Sequence, residues 1–172
     1  MTDPEKIGSA FRRVAAALRH RPALGRGTGF SRTRITDGLT CEIHEGAWTF
    51  TADMPEQAGG NAAGPTPGAY GRAALGSCLA IGYMMRAATM GIPVASLEVE
   101  VHADYDDGAL FGTARGVPPG YLDVRYVVTI DSDAPEERIM ELLDEADRHS
   151  PYLDVFSRAQ NCQREVRIIA RK

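Results

Sequence analysis

Gly71-Arg-Ala-Ala-Leu-Gly-Ser-Cys-Leu-Ala-Ile-Gly-Tyr-Met-Met-Arg-Ala-Ala-Thr-Met90 decides how the rest of this chain is read. The run predicts a helix that is apolar nearly all round, stopped by Gly91 and Pro93. Its uncharged part, Ala73 to Met85, is 13 residues long, and a membrane span needs about 20 apolar residues. The helix is therefore expected inside a globular core. Its small residues, including Gly76, Ser77, Ala80 and Gly82, let other backbones approach closely. Each interior glycine costs roughly 1 kcal/mol against alanine, so packing or chemistry has to offset it.

Working outward, the segment before this helix, Glu56 to Tyr70, is rich in Gly, Ala and Pro and reads as a loop of about 15 residues. Upstream, Phe30 to Thr36 and Thr40 to His44 read as strands joined at Asp37-Gly38, followed by Trp48 to Ala52. At the start, Asp3 to Arg19 carries Ile7, Phe11, Val14 and Leu18 on one helical stripe. Downstream, Leu97, Val99, Val101 and Ala103 alternate with Glu98, Glu100, His102 and Asp104. Leu122, Val124, Tyr126, Val128 and Ile130 repeat that pattern, and Asp106-Asp107-Gly108 predicts a turn into a strand at Leu110 to Ala114. Asp133 to Glu136 resembles a capping box opening a helix with Ile139, Leu142, Leu143 and Ala146 on its apolar side. Tyr152 to Ala159 predicts a short helix, and Val166, Ile168 and Ala170 a closing strand. The order predicts an α+β fold in which a curved antiparallel sheet wraps the buried central helix.

With 172 residues, 44% of them hydrophobic, and a net charge of −4, the chain fits one folded domain over 1–172, with 1–24 as an N-terminal amphipathic extension. The slightly acidic balance and the lack of a Lys/Arg block argue against a nucleic-acid partner. No cofactor motif and no membrane segment is read. The three cysteines, Cys41, Cys78 and Cys162, form neither an even disulfide framework nor a Cys-x-x-Cys metal pair. Together with an N-terminus lacking a signal peptide's apolar core, this points to a cytoplasmic, reducing setting in which thiols stay free.

Cys78 lies mid-helix, where a free cysteine ordinarily packs as a small hydrophobe. Arg72, six residues before it, could lower its pKa by reaching the sulfur; Arg86 reads better as a snorkelling cation near the helix end. His149 could act as a base, although a helix C-terminus is a favourable place for any histidine. His44 and His102 read as solvated, the Asp104, Asp106, Asp107 run as a turn, and Trp48 and Tyr70 as packing or pocket residues.

The run from Gly64 through Cys78 to Tyr83 resembles the cysteine-bearing central helix of the OsmC/Ohr family, the osmotically inducible and organic hydroperoxide resistance proteins. Gly91 to Asp106 resembles that family's next loop and strand, and His149-Ser-Pro-Tyr-Leu-Asp-Val155 its second motif, so the likeness covers Ile35 to Arg171. The resemblance implies an intertwined homodimer whose two central helices pack inside sheets from both chains, with active sites at the subunit interface. It also implies that Cys78 attacks a peroxide as a thiolate and becomes a sulfenic acid. Two positions depart from the family's peroxidases. Ser150 stands where their resolving cysteine precedes a proline, and Gly68 stands where a glutamate positions an arginine on the thiolate.

The resulting expectation is a homodimer that reduces a hydroperoxide or other electrophile with Cys78 and an external thiol reductant. Arg72, Ser77, Ser150 and His149 would support the site or bind substrate, with no metal. Cys162 could stand in as resolver but reads better as a packing residue, as does Cys41. Two alternatives remain: a small-molecule-binding homodimer on the same scaffold without turnover, and an interaction protein that docks through its N-terminal helix.

Overall fold

A computed structural model describes residues 3–169. In chain order the elements are α1 (Pro4–His20), β1 (Ser31–Asp37), β2 (Thr40–Glu45), β3 (Trp48–Ala52), α2 (Pro67–Met90), β4 (Ser96–Asp104), α3 (Asp107–Leu110), β5 (Asp123–Asp131), α4 (Glu136–Asp147) and α5 (Pro151–Ser157). Short 3-10 turns at Pro22–Gly25 and Glu56–Ala58 join α1 to β1 and β3 to α2. The class is α+β, as the sequence predicts.

The central helix α2 starts four residues earlier than Gly71. Thr66 accepts the Ala69 N–H at 3.3 Å and Pro67 takes the first helical position, a start signal concealed within a Gly/Pro-rich run. Gly91 closes the helix at φ +67°, a conformation a side chain resists. One face of α2 (Leu75, Leu79, Tyr83 and Ala87) is buried together with Ile92, Leu142 and Ala146 in the main core. The glycine cost at position 76 is offset by contact: a Cβ there would sit 3.3 Å from Val101 of β4. The opposite row (Ala73, Ser77, Ile81, Met85) is exposed, so within one chain α2 is only half enclosed.

The antiparallel sheet is divided in two within one chain: β1-β2-β3, and β4-β5. The β4-β5 pair runs in unbroken register from Ser96–Asp131 to Asp104–Asp123, and its alternating apolar side chains face α2. The three-stranded sheet is amphipathic. Its register sets Ile35 beside Cys41 and Ala52, Ile43 beside Phe50, and Glu45 beside Trp48 on one face, while Arg32, Arg34, Glu42 and His44 share the other. Only Ala52 on the apolar face is buried. The whole chain exposes 13201 Å², against about 8,200 Å² for a compact monomer of its 18.6 kDa mass.

Three local expectations are corrected. Leu110 to Ala114 is not a strand: Asp106 accepts the Gly108 N–H at 2.7 Å and starts the single turn α3 instead. Asp133 does not cap α4; Pro135 occupies that position with no side-chain cap, and the Ser132 hydroxyl accepts the Ala134 N–H. Val166 and Ile168 lie in a segment without regular structure through residue 169, since no neighbouring strand pairs with them; Ala170 lies outside the described residues. No helix is long and apolar enough to cross a membrane among the described residues.

Candidate functional site

Cys78 sits midway along α2 on the side turned toward α5, half-buried. Its Sγ is 3.6 Å from the Ser150 Oγ. Ser150 is 8% exposed and caps α5, where its Oγ also accepts the Leu153 N–H at 3.3 Å. With an oxygen lone pair engaged by that N–H, the hydroxyl hydrogen is free to turn toward the sulfur. The pairing joins positions 72 residues apart and brings together the two motifs singled out in the sequence.

The other expected participants are placed elsewhere. Arg72 reaches toward the start of α2: its Nη1 is 3.6 Å from where a Cβ on Gly68 would lie. Residue 68 is ten residues before Cys78, about 15 Å of helix rise, and the Arg72 guanidinium makes no ion pair among the described residues. Ser77 lies on the exposed row of α2 and donates to its own helix at the Ala74 carbonyl, 3.3 Å away. His149 donates from Nδ1 to the Glu145 carbonyl at 2.8 Å. Arg86 is ion-paired to Glu145 at 3.5 Å and lies 5.3 Å above the Phe11 ring. The hydrogen bond from Arg148 holds the Glu145 carboxyl below its usual range, against a smaller opposing effect of desolvation. All three cysteines are free, and Cys162 is exposed.

Three further features surround this site, and of their residues the sequence marks Tyr70 as a packing or pocket residue. Tyr121 donates to the Gly68 carbonyl at 2.8 Å and stacks on Phe156, fastening the first turn of α2 to α5. Asp147, three residues before Ser150, accepts from Tyr83 at 2.7 Å and from Tyr126 at 2.8 Å. That clamp ties the end of α4 to α2 and β5. Burial, and then the Asp147 carboxylate, push the Tyr126 phenol up to about 12 and the Tyr83 phenol higher still. The inward register of Tyr126 was the available signal, because a buried phenol needs a partner for its hydroxyl. Third, a cleft of about 660 Å³ opens between the apolar face of the β1-β2-β3 sheet and the helices, lined by Phe30, Ile43, Phe50, Tyr70 and Tyr152. Cys78 and Ser150 do not line it; Tyr70 lies eight residues before Cys78, about 80° around α2 and about 12 Å along it, and Tyr152 two residues after Ser150.

The long segment between β3 and α2 is organised around Asp53, which is 2% exposed. Its carboxylate accepts from the Thr40 hydroxyl at 2.8 Å and from the backbone N–H groups of Met54, Asn61 and Ala63 at 2.7, 3.2 and 3.2 Å. Burial pushes its pKa up, but these donors together outweigh burial and hold it below the ordinary 3.8.

The sequence profile of a family described as OsmC-like protein matches residues 59–164. Among solved structures, the chain resembles an OsmC-like protein from Mycoplasma pneumoniae with a TM-score of 0.66 and 16% identity, over 76% of this chain and 88% of that one. An OsmC-like protein of unknown function from Vibrio cholerae matches with a TM-score of 0.61 and 11% identity, over 76% and 94%. An organic hydroperoxide resistance protein from Legionella pneumophila matches with a TM-score of 0.55 and 14% identity, over 76% and 89%. At these identities the likeness is one of fold. No curated protein matches the sequence.

Proposed function

The chain belongs to the OsmC-like protein family, and on that premise we propose that it is a homodimeric, thiol-dependent hydroperoxide reductase in which Cys78 is the reactive thiol. The observation that carries this reading is the 3.6 Å approach of Cys78 Sγ to Ser150 Oγ, which brings the two motifs together. The cleft lined by Phe30, Ile43, Glu45, Phe50, Tyr70 and Tyr152 is mostly apolar and suits the body of an organic hydroperoxide.

In the first step the Cys78 thiolate attacks the terminal peroxide oxygen. An S–O bond forms as the O–O bond breaks, and the alkoxide leaves and takes up a proton as the alcohol. The Ser150 hydroxyl, already oriented by Leu153, is within reach to donate to the oxidised sulfur. Serine cannot condense with a sulfenic acid to make a disulfide, so reduction falls to an external thiol. One such thiol displaces water to give a mixed disulfide on Cys78; a second exchanges with it, releasing the external disulfide and restoring Cys78.

The dimer is supported by the surface left uncovered in one chain. The apolar sheet face with Ile35, Phe50 and Trp48 and the α2 row with Ile81 and Met85 are both open. A second chain is the natural cover for the part of that face, with Ile35 and Trp48, that the chain's own Tyr70 and Tyr152 do not reach.

Stopped-flow mixing of the reduced protein with cumene hydroperoxide tests the reading. Oxidation much faster than that of free cysteine, lost in Cys78→Ser, is expected. A wild-type rate no greater than that of free cysteine would overturn it and leave a small-molecule-binding scaffold.

A further inference from the structure

Helix α1 lies outside the segment matched by the family profile. It is nevertheless held firmly to α2. A Cβ on Gly8 would come within 2.9 Å of the Ala88 carbonyl oxygen, so the two backbones meet there without room for a side chain. Phe11 lies under the Arg86 guanidinium at 5.3 Å, and Arg86 in turn pairs with Glu145 of α4.

These contacts do not use up the apolar stripe of α1. Ile7, Phe11, Val14 and Leu18 line an open groove of about 480 Å³ with Met85 of α2, and the one charged side chain on its wall is Lys6. Val14 is 55% exposed and Met85 37%. Met85 also ends the exposed row Ala73, Ser77, Ile81, Met85. One continuous apolar patch therefore runs from the uncovered face of α2 onto α1.

We propose that this patch is a self-association surface, in which the α1–α2 groove packs on the same patch of a second copy of the chain. The proposal rests on the dimer reading above and extends it to a helix that the family likeness does not cover. Three observations favour a second copy as the occupant. The groove is continuous, through Met85, with the α2 row that the dimer would bury. The chain's surface of 13201 Å² exceeds that of a compact monomer by about 5,000 Å², an excess shared by this patch, the β1-β2-β3 face and the irregular segment after α5, against ~800 Å² per partner for an ordinary interface. The groove is also nearly uncharged: Arg12, Arg13 and Arg19 are exposed and none of them lines it. Two identical patches can meet without like-charge repulsion, whereas an acidic peptide would find few cations on the groove wall.

Sedimentation velocity of the full chain over a concentration series, with circular dichroism as a check on folding, tests this. Val14 is exposed in the single chain, so Val14→Glu should keep the fold while raising the dimer dissociation constant at least tenfold. Leu18→Gln should act in the same direction, and Ser9→Glu, outside the groove, should match wild type. A wild-type dimer left unchanged by Val14→Glu and Leu18→Gln would overturn the groove proposal and leave the dimer reading standing. Equal weakening by Ser9→Glu would make the effect one of charge and overturn it too. A wild-type monomer at every concentration would remove the dimer reading and the groove proposal with it. A monomer that co-sediments with phosphatidylglycerol vesicles, and ceases to with Val14→Glu, would also overturn the proposal by assigning the groove to a lipid surface.

Discussion

The two sheets of this chain are both paired antiparallel, with one register shift between Ile35 and Asp37 of β1, and are enclosed very differently. Strands β4 and β5 lay their alternating apolar side chains on α2 and share a core with Leu75, Leu79, Tyr83 and Leu142. Strands β1 to β3 keep an unbroken hydrogen-bonded ladder between β2 and β3 and an equally clear apolar face, yet only Ala52 of that face is buried. Strand pairing thus needs only backbone and register, while a layered core needs a second element. The β4-β5 pair finds that element in its own chain; the β1-β2-β3 sheet meets its own chain only at Tyr70 and Tyr152, across an open cleft.

The sharpest way to break this contrast is to truncate on each side of it. Leu142 is fully buried, and Leu142→Ala should lower the unfolding free energy by about 2–5 kcal/mol, measured by urea denaturation. That loss should not depend on protein concentration. Next in size is the clamp on Asp147. Tyr126→Phe removes one of its two phenol donors and should cost about 1.5–3 kcal/mol. Its pH signature has a definite sign. The Tyr126 pKa is raised on folding from 10.0 to about 12, so its contribution is complete below pH 10 and fades between 10 and 12. Thermal melts of wild type should fall more steeply across that window than melts of Tyr126→Phe.

On the β1-β2-β3 side the expected effect is on association. Ile35 is 57% exposed, so Ile35→Ser should change the stability of the single chain by no more than about 0.5 kcal/mol. If a second chain covers this face, the same substitution should weaken the dimer about tenfold, roughly 1.4 kcal/mol. A concentration-independent loss as large as that of Leu142→Ala would mean the sheet has cover within its own chain. The smallest effect is expected where the two regions meet. A Cβ at position 68 would lie 3.6 Å from Arg72 Nη1 and 3.7 Å from Tyr121 Oη, ordinary contacts, so Gly68→Glu fits and can pair with Arg72. Its carboxylate in the first turn also suits the helix N-terminus. A few-fold change in the rate of Cys78 oxidation by cumene hydroperoxide would show that this pair reaches the site; an unchanged rate would confine Arg72 to the start of α2.

Much of this contrast was legible in the sequence. The Asp37-Gly38 turn, the alternation in β4 and β5 and the length of the α2 run are local patterns, and local patterns specify elements. The start of α2 is hidden from the sequence because Thr66-Pro67 sits among residues whose composition signals a loop. The apolar pair Leu110-Phe111 looked like a strand, although Asp106 had already committed the backbone to a turn. For the site, the meeting of Cys78 and Ser150 was foreshadowed by two motifs read together. The tyrosines on Asp147 were not, because they come from 64 and 21 residues away and meet only once α2, β5 and α4 have packed. Arg72 is no direct helix-face neighbour of Cys78 and could meet the sulfur only by reaching toward it, but its side chain extends toward Gly68, as helical side chains lean toward the N-terminus.

Asp53 has a consequence for how the β1-β2-β3 sheet is carried. That sheet is an arm, and its shoulder is the Asp53 carboxylate with its four donors, assisted by the Tyr70 hydroxyl on the Thr51 carbonyl at 2.6 Å. This joint is made chiefly of hydrogen bonds, with one edge-on aromatic contact beside them, Phe50 against Tyr70 at 6.5 Å between ring centroids. Acid is the condition that frees it: with the folded pKa depressed, the joint holds above the ordinary 3.8 and gives way as pH falls through the lower folded value.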